Sequence, residues 1–216
     1  MFHTTLRFSQ TLHLISLLMC GFFISPASAQ TENPTFFYLN QGQLVAPWGL
    51  MLGDPSDWAL AVQDRTGQSK SGKLSIKPTD FKGKGDALQA SWNGKKKDTA
   101  TLSIVGPAID IANFKDAAAL AMDIRVDKRP SKGVTLSMSC TWPCRGEVQI
   151  RKLLTEFPAG EWFSLPVPLN CFKSDDGFDL SKISGPFTIA TEGKLTLSIT
   201  NIRLERLAEG EKGCIE

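Results

Sequence analysis

Apolar side chains recur at every second position along much of this chain. Leu120, Met122, Ile124 and Val126 alternate with Ala121, Asp123 and Arg125, and Val134, Leu136 and Met138 alternate with Thr135, Ser137 and Ser139. Phe163, Leu165, Val167 and Leu169 form a third row; Leu195, Leu197 and Ile199 form a fourth. A period of two sends successive side chains to opposite faces, so each segment reads as a strand with one apolar face. The fourth row then changes phase, because Ile202 and Leu204 are even where Leu195 to Ile199 are odd. A bulge near Thr200-Asn201 would turn the apolar face inward again.

Shorter strands are expected at 48–52, 58–62, 74–77, 88–92 and 101–105. Polar turns such as Asp64-Arg65-Thr66-Gly67-Gln68, Lys82-Gly83-Lys84-Gly85-Asp86 and Asn93-Gly94 separate them. About ten short strands with such turns describe an all-β sandwich. Helix is expected only at 113–118 and 150–156. The 216 residues are too few for a (β/α)8 barrel, which typically needs about 250.

The first 29 residues have the make-up of a secretory signal peptide. Arg7 supplies positive charge, Leu12 to Ile24 is mostly apolar, and Pro26 precedes the small-x-small site Ala27-Ser28-Ala29. The apolar run is shorter than the roughly 20 residues a membrane span requires, so no span is expected in the mature chain. An uncleaved anchor is the alternative, while Met19 is too bulky for a lipoprotein signal at Cys20. The resulting division is 1–29 signal, 30–37 tail, 38–207 one β-sandwich and 208–216 a second tail, in a secreted or periplasmic protein. Both histidines, His3 and His13, fall inside the signal. A mature chain without histidine has no Ser-His-Asp or Cys-His catalysis and almost no route to catalytic zinc. The formal charge of +2 forms no basic stripe along the sequence, so nucleic acid is not an expected partner.

Export also decides how cysteine is read. Cys140, Cys144, Cys171 and Cys214 remain, an even number consistent with two disulfides in any of three connectivities. Cys140 and Cys144 can bridge only if Thr141-Trp142-Pro143 folds back, and Pro143 favours that turn. Their spacing is poor for a four-thiolate zinc site.

The second half carries a more specific signature. Val134 to Cys140, Cys144-Arg145-Gly146, Gly160-Glu161-Trp162 and Val167-Pro168-Leu169-Asn170-Cys171-Phe172 follow in order, then Asp179-Leu180-Ser181 and Gly185-Pro186-Phe187. Ala46-Pro47-Trp48, Leu52-Gly53-Asp54 and Arg125-Val126-Asp127 precede them. This pattern resembles the carboxy-terminal galactose-binding-like domain of the ExoP-type β-glucan glucohydrolases of glycoside hydrolase family 3, over roughly residues 38–204. The resemblance implies a jelly-roll β-sandwich related to carbohydrate-binding modules, without the catalytic domains that accompany it in that family. Cys214 lies beyond the last family-like strand. The expected pairing is Cys140 with Cys144, leaving Cys171 for Cys214.

Glycoside hydrolysis needs two carboxyl groups flanking a cleft, and nothing in the sequence marks such a pair. Asp175-Asp176-Gly177-Phe178-Asp179 offers oxygens of the kind calcium takes, but it lacks the full loop pattern of a calcium hand. No metal or cofactor is expected. Lys95-Lys96-Lys97 reads as a solvated run in or after a hairpin turn, with a weak polyanion contact as the alternative. Tryptophan is more informative, because flat rings can cover the apolar faces of sugars. Trp48, Trp58 and Trp92 are in phase with apolar neighbours and are expected in the core. Trp162 is out of phase with Phe163 and Leu165, and Trp142 sits in a loop. Trp142 and Trp162 are therefore the candidate sugar-contacting rings, and Arg145 and Glu147, just beyond Trp142, are the candidates to supply hydrogen bonds to hydroxyls. The expected function is non-catalytic binding of β-glucan-type polysaccharides or oligosaccharides. The alternative is an accessory domain docking on a separate glycosidase or envelope protein.

Overall fold

The alternating segments become strands of two antiparallel sheets whose apolar faces meet. The computed structural model describes residues 36–214 apart from positions 96, 142, 175 and 176. The expected signal peptide, most of the following tail and Trp142 lie outside the described residues.

One sheet runs, in spatial order, β12 (Trp162–Pro168), β9 (Ala118–Lys128), β14 (Lys194–Arg206), β7 (Ala87–Asn93), β6 (Leu74–Thr79) and β5 (Gly67–Gln68). On this sheet β1 (Phe37–Asn40) pairs with β14, and β2 (Gln43–Leu44) pairs with β1. The other sheet runs β11 (Arg145–Gln149), β10 (Val134–Ser139), β13 (Gly185–Thr191), β8 (Ala100–Val105), β3 (Gly49–Asp54) and β4 (Asp57–Ala61). Leu120, Met122 and Ile124 from the first sheet meet Leu52, Leu136 and Phe187 from the second in a continuous buried cluster. Each such side chain contributes about 1.5–3 kcal/mol on full burial.

The expected phase change in β14 is present. Its pairing with β9 shifts register between Thr200 and Arg203, and Asn201 adopts a left-handed backbone with φ of 50°. Asparagine tolerates that region better than most residues. Its side chain accepts from the Gln41 N–H at 3.0 Å and donates to Asp123 at 2.8 Å, which fixes the bulge.

Three local expectations change. Asn93-Gly94 does not close a hairpin between consecutive strands, because both edges of β7 are taken by β6 and β14. The turn instead carries the chain across the sandwich to β8. The 113–118 helix contracts to a 3-10 turn at Ala112–Phe114, whereas 150–156 forms α1 (Arg151–Glu156). The edge strand β11 was not among the expected strands.

Both disulfides form in the expected pairing, with Cα–Cα distances of 5.2 Å for Cys140–Cys144 and 5.1 Å for Cys171–Cys214. The first closes the turn between β10 and β11. The second ties the C-terminal segment to the turn after β12, where Asn170 Oδ1 also accepts from the Cys214 N–H at 3.1 Å. Among the described residues, no helix is long and apolar enough to cross a membrane.

Candidate functional site

The polar phase of the second sheet forms an open surface. Leu102 and Ile104, Leu136 and Met138, and Phe187 and Ile189 are spent on the core. Their neighbours Thr101, Thr135, Ser137, Thr188 and Ala190 must then point outward. These small side chains leave room above the sheet, where a groove of about 690 Å³ crosses them. Trp58 on β4 borders one side, and Arg145 and Glu147 on β11 border the other. Six strands lie between and including these walls, a span of about 24 Å at the usual inter-strand spacing.

Trp58 corrects the sequence reading, which placed it in the core. Its side chain is exposed, at 56%. Leu52 pairs with Leu60 and Asp54 with Asp57, so Trp58 and Ala59 together oppose Gly53 alone. That extra residue is a bulge, and it flips the phase of β4. Leu60 keeps the inward direction while Trp58 is turned out. Trp48 and Trp92 follow expectation: Trp48 packs against the core, and Trp92 is buried with its indole N–H donating to the Ala100 carbonyl at 2.9 Å.

The turn that carries Trp58 is held by Asp54, which is fully buried. Its carboxylate accepts from the Ser56 N–H at 2.8 Å, the Ser71 N–H at 2.8 Å and the Ser71 hydroxyl at 2.7 Å. Burial alone would raise the pKa of this acid. The hydrogen bonds from Ser71, Ser69 and Ser56 outweigh burial and hold it well below the usual carboxylate range.

On the opposite wall, Arg145 Nε pairs with Glu147 Oε1 at 2.7 Å. The edge strand bearing them is supported from outside. The Glu147 N–H donates to the Lys173 carbonyl at 2.9 Å, and the Phe178 ring lies so close to Gly146 that an added Cβ would stand 2.6 Å from the ring. In the loop offered for calcium, the Asp179 carboxylate accepts from the Ser181 N–H and hydroxyl at 2.9 and 2.6 Å, while Asp175 and Asp176 lie outside the described residues.

The four candidate residues are thus not brought together. Arg145 and Glu147 line the groove, and Trp142 is outside the described residues. Trp162 sits on the outward face of the other sheet, edge-on to Phe81 at 4.7 Å and 5.0 Å from the Arg125 guanidinium. Sequence reasoning missed Trp58 and the hydroxyl-bearing floor. The available signal for the floor was the concentration of Thr and Ser on the polar phases of 101–105 and 134–139, joined by Thr188 alone from 185–191.

Chemically, the described residues of the groove offer the Trp58 indole, the small side chains of the floor and a charged pair that can direct hydrogen bonds to sugar hydroxyls. Glu147 is the one carboxylate among the described residues lining it. A glycosidase would need a second across the cleft. A separate apolar cavity of about 510 Å³ lies between β1 and the segment after β8, bordered by the exposed rings of Phe36 and Phe114.

Comparison with known proteins agrees with this architecture. A family model described as galactose-binding domain-like matches residues 46–204. No curated protein matches the chain. Among solved structures, the exo-1,3/1,4-beta-glucanase ExoP from a Pseudoalteromonas species superposes with a TM-score of 0.65 at 18% identity, covering 83% of this chain and 21% of the enzyme. The chain therefore spans about a fifth of that enzyme's length. The extra C-terminal domain of the same enzyme gives a TM-score of 0.63 at 16% identity, covering 83% of this chain and 96% of the domain. A family 11 carbohydrate-binding module from Clostridium thermocellum, solved with a beta-1,3-1,4-mixed-linked tetrasaccharide, gives 0.51 at 16% identity, with 78% and 94% covered. At these identities the likeness establishes a shared fold.

Proposed function

The chain belongs to the ExoP C-terminal family of galactose-binding-like domains, and on that premise we propose that it is an exported, non-catalytic module binding β-glucan-type polysaccharides in the groove between Trp58 and Arg145. The observation that carries this reading is the exposed Trp58 indole beside a floor of small hydroxyl-bearing side chains. A sugar ring stacked on the indole covers about 100 Å² of apolar surface, worth roughly 2–3 kcal/mol before association costs. Hydrogen bonds from Thr101, Thr135, Ser137 and Thr188, with Arg145 and Glu147 at the wall, would orient the hydroxyls. The resulting affinity is on the order of millimolar to tens of micromolar, suited to repeated contacts along a polymer. The two disulfides fit the oxidising compartment that export implies.

In this reading Trp142, three positions before Arg145 in the sequence, supplies a second ring to the ligand, and Trp162 lies outside the groove. Titration calorimetry with mixed-linkage β-glucan oligosaccharides tests it. Trp58→Ala is expected to abolish binding at an unchanged melting temperature, and Trp142→Ala to weaken binding about tenfold, as loss of roughly 1.4 kcal/mol would. Parent-like affinity in Trp58→Ala would remove the groove from consideration.

The cavity flanked by Phe36 and Phe114 favours a second reading, in which the chain is an accessory domain seated on a separately encoded glycosidase. That reading requires Phe114→Ser to break a complex with the enzyme while leaving glucan binding intact.

A further inference from the structure

Four loops meet at one end of the sandwich: 69–73 before β6, 94–99 between β7 and β8, 129–133 between β9 and β10, and 192–193 between β13 and β14. Asn93 joins three of them. Its N–H donates to the Lys73 carbonyl at 3.0 Å, its side chain donates to the Gly72 carbonyl at 2.8 Å, and it pairs with Lys194 across the sheet. The Lys95 N–H donates to its side-chain oxygen at 2.8 Å. The fourth loop joins through Ser131, whose N–H donates to the Lys194 carbonyl at 2.9 Å and whose hydroxyl accepts from the Lys194 N–H at 2.8 Å.

These bonds gather cations that are scattered in sequence. Lys70, Lys95, Lys97, Lys128, Arg129, Lys132 and Lys194 are all exposed at this end. Asp98 and Glu192 are the exposed carboxylates of the same loops, and Glu192 is paired with Lys132 at 3.1 Å. Asp98, Glu192 and Lys132 are all near enough to the buried Lys73 to act on its charge. With a formal charge of only +2 over the whole chain, this end is a local excess of positive charge.

The excess adjoins the groove. Thr99 follows Lys97 by two residues, Thr135 follows Lys132 by three, and Ala190 precedes Glu192 by two; all three residues line the groove. We propose that the groove's ligand is an acidic polysaccharide, its backbone rings lying over Trp58 and the floor while carboxylate or sulfate substituents meet these lysines. This rests on the glucan-binding reading and narrows its ligand class. An anionic lipid surface fits less well, since interfacial binding inserts apolar side chains beside the cations. The exposed rings of Phe36 and Phe114 border the other cavity instead.

The test compares a soluble β-1,3-1,4-glucan with the same glucan after partial carboxymethylation, at about 0.01 M and about 1 M salt, where charges are screened beyond about 30 Å and 3 Å. Each exposed ion contact contributes about a factor of two, so three contacts give about tenfold tighter binding of the acidic glucan at low salt, vanishing at high salt. The triple variant Lys70→Gln, Lys95→Gln, Lys97→Gln is expected to erase that difference at unchanged melting temperature and unchanged affinity for neutral glucan. Equal binding of both glucans at low salt overturns the inference and leaves the glucan-binding reading standing. Loss of binding to both in the parent protein removes both. Acidic glucan binding to Trp58→Ala as to the parent overturns the inference, because the cations then act apart from the groove. Lysine-dependent sedimentation with phosphatidylglycerol vesicles, without preference for the acidic glucan, overturns it in favour of a lipid surface.

Discussion

Gly53 lies beneath Trp58: a Cβ added to Gly53 would stand 3.2 Å from the indole Cε3 and 3.1 Å from the Trp58 carbonyl oxygen. The same atom would collide with the Thr101 hydroxyl of the groove floor. The absent side chain is what lets the indole lie down over the sheet beside that floor. Gly53→Ala is therefore expected to weaken glucan binding about tenfold and to cost about 1–3 kcal/mol through overpacking. Calorimetry and a urea melt on the same preparation separate the two effects, and full affinity in a folded variant would show that the ring needs no such seat.

Trp92 provides the contrast. It is 2% exposed and its indole N–H is satisfied by the Ala100 carbonyl at 2.9 Å. Removing it opens a cavity between the sheets and leaves that carbonyl without its donor. Trp92→Ala should lose about 3–5 kcal/mol by chemical denaturation. A loss under about 1 kcal/mol would mean the site collapses freely.

The difference between these two tryptophans marks where sequence pattern stops being informative. Trp92 shares the phase of Leu88 and Ala90, and that phase persists along the whole of β7, so its burial could be read directly. Trp58 shares a phase with Leu60 and Val62 in the same way, yet the bulge opposite Gly53 reverses its direction. The bulge in β14 was legible because apolar residues continue on both sides of Asn201. In β4 only Asp57 precedes the ring, so no apolar row exists on the far side to reveal the shift. The edge strand β11 was obscure for a related reason. Within Arg145-Gly146-Glu147-Val148-Gln149 only Val148 is apolar, while Arg145 and Glu147 face the groove. The candidates Arg145 and Glu147 follow Trp142 closely in the sequence, whereas the floor belongs to strands that meet only in the folded sheet.

The two disulfides should differ in worth. Cys140–Cys144 closes a separation of 4 residues at a turn already held by the Cys140 N–H donating to the Cys144 carbonyl at 3.0 Å. Cys171–Cys214 closes a separation of 43. Loop-closure entropy gives about 2 kcal/mol for the first and about 4 kcal/mol for the second. Serine pairs at each bridge, compared by denaturation, are expected to follow that order. The reverse order would show that the short bridge has a larger role in holding the β10–β11 edge.

Asp54 sets a pH dependence whose sign can be worked through. Burial acts to raise its folded pKa, but donors from Ser71, Ser69 and Ser56 outweigh burial and lower it. In the unfolded chain an aspartate titrates near about 3.9. Below that value the unfolded state takes up the proton first, so the stability due to this carboxylate is complete above about pH 4 and declines as pH falls toward the lowered folded value. Asp54→Asn removes the charge and exchanges an acceptor oxygen for a donor among those same N–H and O–H groups. The variant is expected to lose about 1–3 kcal/mol at pH 7. Measuring parent and variant side by side cancels the titration of the other carboxylates. The gap between them should hold from neutral pH to about pH 4 and narrow in more acidic solution. A gap that widens on acidification would show that Asp54 is bound as the neutral acid, and its place as the anchor of the Trp58 turn would have to be given up.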